Sequence, residues 1–113
     1  MANAFKNRTL QLVGTTPADV GADVDPNTET TLIGMTLANV TSGVINVTVQ
    51  LINTNSSTGA TTHIVKDAPI PTGGSLVVVG GDQKIVLTEE DKITVTSNTA
   101  SSCDVIMSFL EIT

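Results

Sequence analysis

The run VINVTVQLIN, residues 44–53, alternates without a break. Val44, Asn46, Thr48 and Gln50 fall on one side, and Ile45, Val47, Val49 and Leu51 on the other. A spacing of two is that of an extended strand with one face toward a core and one toward water. Apolar positions at helical spacing never persist for two turns outside the β-branched runs, so the chain reads as all-β.

The remaining strands follow from the same alternation and from turn chemistry between them. RTLQLVG ends at Gly14. TTPADVGADVDPN is limited by Pro17, Gly21 and Pro26 to loop or a short edge strand. TETTLIGMTLANVT is a long extended run in which Gly34 marks a bulge or a close backbone approach. After a turn at Ser42–Gly43 and the strand above, TNSSTGA is a polar hairpin tip and TTHIVKD the returning strand. APIPTGG is a rigid turn, SLVVV a short strand and GGDQ a turn. KIVL and DKITVTSN are strands joined at TEED. In CDVIMSFLEIT, Val105, Met107 and Phe109 oppose Asp104 and Ser108. Strands at about ten-residue spacing predict an antiparallel β-sandwich, jelly-roll-like or of another Greek-key order. One domain, 9–113, follows an N-terminal arm, 1–8.

Composition narrows the function. Among 113 residues there are two Phe and no Tyr or Trp, so the core is aliphatic, at about 1.5–3 kcal/mol for each buried Val, Leu or Ile. A core this small gains from association with further subunits. A formal charge of −6, with five scattered Lys and Arg, leaves no basic stripe for phosphates and argues against nucleic-acid binding. Without Tyr or Trp, base- and sugar-stacking platforms are missing as well. Cys103 is the single cysteine. It allows no intrachain disulfide and no cysteine zinc site, and reads as a small core residue. No segment has the apolar length of a signal peptide or a membrane span, and the expectation is a protein made soluble in a reducing compartment. The sequons at Asn7, Asn39, Asn46 and Asn55 then reflect Asn and Thr abundance rather than glycosylation.

PIPTGGSLVVVGGDQKIVL, residues 69–87, raises the question of a phosphate loop. A Walker loop needs Lys and Ser or Thr after its last glycine and then a helix; a dinucleotide fingerprint needs G-x-G-x-x-G between strand and helix. Neither pattern is met. Gly73, Gly74, Gly80 and Gly81 are expected instead at strand ends that need positive φ. His63, the one histidine, has no Ser or Asp partner in a recognisable motif and reads as a surface or satisfied side chain. Asp19, Asp23 and Asp25, and Glu89, Glu90 and Asp91, lack the spacing of a calcium loop. A weak calcium site at Asp19–Asp25, in a ligand-binding module, is the alternative reading. No catalytic residue, cofactor or metal is assigned, and the chain reads as no enzyme.

The four apolar residues of LVVV cannot all face a one-sided core, because neighbours in a strand point to opposite faces. Both faces of that strand are expected to be covered, by the second sheet and a loop or by another subunit. The same holds for VIM and FL near the end. Leu76, Val77, Val78, Val79 and Phe109 are therefore candidate interface residues. Lys6 and Arg8 join them, as basic residues of an arm that reaches an acidic neighbour.

From Thr31 onward, the LANVTSG turn, the alternating strand after it, KDAPIP with its glycine turn, the IVL strand, D-x-I-x-V-x-S and the closing SFLEIT resemble small virion structural proteins of tailed bacteriophages from marine and cyanobacterial hosts. Phe109 stands where that group usually has Tyr, and Glu90–Asp91 where it often has Gly-Asp. The resemblance implies a virion component made in the host cytoplasm. It would be a capsid decoration (cement) subunit bound to a major capsid protein, or a neck, tail or fibre-associated subunit. A homo-oligomer such as a trimer, without nucleic acid or membrane as partner, fits both.

Overall fold

The structure is a computed structural model that describes residues 3–20, 27–53, 61–80, 84–88 and 91–112. Its strands are β1 (Asn3–Val13), β2 (Ala18–Asp19), β3 (Glu29–Asn39), β4 (Ile45–Asn53), β5 (Thr61–Ile70), β6 (Ser75–Val79), β7 (Ile85–Leu87), β8 (Asp91–Ser97) and β9 (Cys103–Ile112). Two antiparallel sheets form a β-sandwich. Sheet A runs β1-β9-β3-β6, with β7 also on β3; sheet B runs β2-β8-β4-β5. The pairs β1–β9, β2–β8, β3–β6 and β4–β5 nest inside one another along the chain, which is the winding of a jelly roll.

The expected alternation sets the core. Ile45, Val47 and Val49 of β4 and Ile93 and Val95 of β8 meet Leu32, Met35 and Leu37 of β3 and Val105, Met107 and Phe109 of β9, all buried. Phe109 is the only aromatic there, since Phe5 is 80% exposed. The bulge expected at Gly34 is present: the β3–β9 register shifts between Leu32 and Gly34.

Several expectations are corrected. APIPTGG is not a turn throughout, because Ala68–Ile70 completes β5. Pro69 is tolerated there because β5 is the outer strand of its sheet and one side of its backbone needs no partner. The turn is shorter, closed by Gly74 N–H donating to Pro71 O at 2.9 Å. Of the four glycines, Gly73 has positive φ, at 70°, and Gly74 and Gly80 do not. Those two are sites of close approach: a Cβ on Gly74 would lie 3.0 Å from Pro71 Cγ, and one on Gly80 3.1 Å from Val77 Cγ1. Gly81, the TNSSTGA tip and most of GGDQ lie outside the described residues.

Asn3–Arg8, set apart by the sequence as an arm, runs in β1 and pairs in antiparallel register with β9, from Asn3 opposite Ile112 to Arg8 opposite Met107. The register breaks between Leu10 and Val13. Leu12 takes a φ of 54° at this break, and its N–H donates to Asp104 Oδ1 at 2.9 Å.

Candidate functional site

The two outer faces of the sandwich differ. Sheet B presents Asn46, Thr48 and Gln50 of β4 beside Lys92 of β8 and His63 of β5, the polar exterior expected of a solvated antiparallel sheet. Sheet A does not. Directly paired residues of neighbouring strands point to the same side, so the registers define rows across its exterior. One row is Phe5–Leu110–Thr31–Val86 and another Thr9–Ile106–Thr36–Val77. Phe5, Val86, Ile106 and Val77 are 80%, 58%, 57% and 65% exposed. Between these rows lies Asn7–Ser108–Gly34, where the β3 bulge leaves a shallow depression of about 250 Å³ edged by Phe5, Ile33 and Ser108. Charge on the outward strand positions of sheet A is confined to Glu29 and Asp104, at opposite ends. The centre is uncharged, with a polar middle row flanked by two rows that mix large apolar side chains with threonines.

The residues singled out from the sequence divide around this face. Val77 lies on it. Leu76 turns inward opposite Leu37, Val78 is half-buried against the core, and Val79 and Phe109 are buried. LVVV is thus covered on its inner side, while Val77 has no cover among the described residues. Ile106 of VIM shares that condition. Lys6 and Arg8 sit on the inner side of β1 and act within the chain: Lys6 Nζ binds Glu111 Oε1 at 2.8 Å, and the Arg8 guanidinium lies over the Phe109 ring. Phe5, Ile106, Leu110 and Val86 were not assigned to one surface by the sequence, because only the register puts them in rows.

The other candidates carry less. His63 Nε2 is 3.1 Å from Gln50 Nε2, a polar contact on an exposed sheet surface. Asp19 Oδ2 faces Lys92 Nζ at 3.6 Å. Asp23, Asp25, Glu89 and Glu90 lie outside the described residues. Among the described residues no cluster of His, Cys, Asp or Glu is placed to hold a metal. Asp91 is used locally, accepting from Thr88 N–H and Oγ1 at 3.0 and 3.1 Å. Cys103 is in the core, and burial, followed by the charge of Asp104, pushes its thiol up to about 11. No described helix is long and apolar enough to cross a membrane.

No family model and no curated protein matches the sequence. The fold has solved counterparts. A chain from Bacillus endospore appendages, described as a family of disulfide-linked pili, is similar over 98% of this chain and 88% of its own, at 16% identity and a TM-score of 0.57. Chains of infectious bursal disease virus, from the Gx strain and from a VP2 subviral particle, overlap 96% of this chain but 31% and 36% of their own. Their identities are 12% and 11%, with TM-scores of 0.47 and 0.46. The appendage likeness is one of fold; the viral ones, at those scores, add no argument. These neighbours are pilus and virus-particle proteins.

Proposed function

We propose that this chain is a non-enzymatic structural subunit of a multi-copy particle, and that it decorates the surface of a phage capsid. One observation carries the reading: a broad sheet exterior with an uncharged centre leaves Phe5, Val86, Ile106 and Val77 exposed together, without cover among the described residues. Large apolar side chains exposed together on one face of a soluble domain mark interaction surfaces, and here Phe5, Val86, Ile106 and Val77 share an exterior whose outward charges stand at its ends. The jelly-roll fold it shares with a pilus chain is compatible with such a role, and so is the sequence resemblance to small virion proteins. A place at the neck or tail would use the same face.

The copies would be held without cysteine chemistry, because Cys103, the one cysteine of this sequence, is fully buried. Density-gradient fractionation of the source culture, with mass spectrometry of each band, tests the reading. The chain is expected in a band of particles, at many copies per particle. Its confinement to slowly sedimenting free protein would overturn the assignment.

A further inference from the structure

We infer that two copies of this chain pair back to back through the outer faces of sheet A. The inference rests on the assembly reading and names its first contact. Two observations favour a second copy as the occupant.

The first is charge. At a net charge of −6, contact between copies through most of the surface brings like charges together. The centre of the sheet A exterior has none to bring, and Glu29 and Asp104 stand at its ends.

The second is area. Four strands at about 4.8 Å spacing and ten residues at about 3.3 Å each give a face of roughly 19 by 33 Å. That is about 600 Å² in projection and more once side-chain relief is counted. A stable pair hides about 800 Å² on each partner.

The test is a cysteine placed in the middle of the face. Ser108 is exposed, and the buried Cys103 with its raised thiol pKa stays silent toward maleimides. Packed sheets stand about 10 Å apart, beyond the reach of a direct disulfide, so the probe is a bismaleimide of about that span. Ser108→Cys is expected to give a crosslinked dimer on a denaturing gel. Thr48→Cys, on the outer face of sheet B, is expected to stay a monomer under the same treatment. Adding Ile106→Glu to Ser108→Cys should reduce the linked fraction at least tenfold.

A Ser108→Cys protein that stays unlinked, or that links no faster than Thr48→Cys, overturns the back-to-back pair. If the wild-type chain is nevertheless found in particle bands, assembly stands and uses another surface, such as the free strand edges. If the pair forms but the chain is absent from particles, the pairing stands and the particle reading falls.

Discussion

Arg8 holds its guanidinium carbon 5.2 Å from the centroid of the Phe109 ring. An edge strand thereby covers the one aromatic in the core with a cation, which is why a basic residue is accommodated on the inner side of β1. Arg8→Ala is expected to cost about 0.5–1 kcal/mol, the range for a partly exposed cation–π contact. Phe109→Ala is expected to cost about 3–5 kcal/mol through the cavity it opens. Urea unfolding followed by circular dichroism measures both.

Asn39 closes the corner between β3 and β4. Its Nδ2 donates to Gly43 O at 2.7 Å and to Ile70 O at 2.9 Å, and its Oδ1 accepts from Thr41 N–H and Oγ1 at 2.9 and 2.8 Å. Asn39→Ala strands these groups and is expected to cost about 2–4 kcal/mol, since each buried polar group left alone costs about 1–3 kcal/mol. Asn39→Asp is expected to destabilise as well, because a carboxylate cannot donate to the two carbonyls. Denaturant midpoints of both variants test the corner.

Two neighbouring glycines differ in what they tolerate. At Gly73, with φ of 70° and open space for a Cβ, alanine meets only backbone strain and costs about 1 kcal/mol. At Gly74 the added Cβ crowds the Pro71 ring and lies 3.1 Å from Pro71 O, in the turn whose Gly74 O accepts from Asn39 N–H. Gly74→Ala is expected to cost about 1–3 kcal/mol through overpacking. Thermal melts of the pair separate strain from crowding.

Cys103 gives a pH signature. Its thiol is raised from 9.0 to about 11 by burial and by Asp104. Between those values the folded chain keeps a proton that the unfolded chain has lost. Its contribution is full below pH 9 and declines toward pH 11, by about 1.4 kcal/mol per unit. Unfolding free energies at pH 8, 9, 10 and 11, for wild type and Cys103→Ala, isolate this share as the part of the decline missing in the variant.

The fold was legible wherever one strand face meets the core, as in β4, β8 and β9, because alternation alone sets which side chains turn inward. Gly34 announced its bulge for the same local reason. β1 was read too short: Phe5, Lys6 and Arg8 are exposed or half-buried edge residues with no apolar alternation to mark them. Leu12, held at positive φ through Asp104, carries no glycine signal. The apolar side chains on the exterior of sheet A were legible only in part, as the surplus of apolar residues in LVVV, VIM and FL. That Phe5, Leu110 and Val86 share a row depends on pairings between strands distant in sequence, and no local pattern encodes those.

The central claim is that copies associate through the exterior of sheet A, and light scattering coupled to size exclusion tests it most directly. Wild-type chain is compared with Val77→Glu/Ile106→Glu over a hundredfold range of concentration. Both positions are exposed, so the double variant is expected to fold with a stability change of about 0.5 kcal/mol or less per site. The account predicts a wild-type mass at least twice that of the chain and a monomeric variant. A variant that keeps the wild-type mass, or a wild type that stays monomeric throughout, would contradict it.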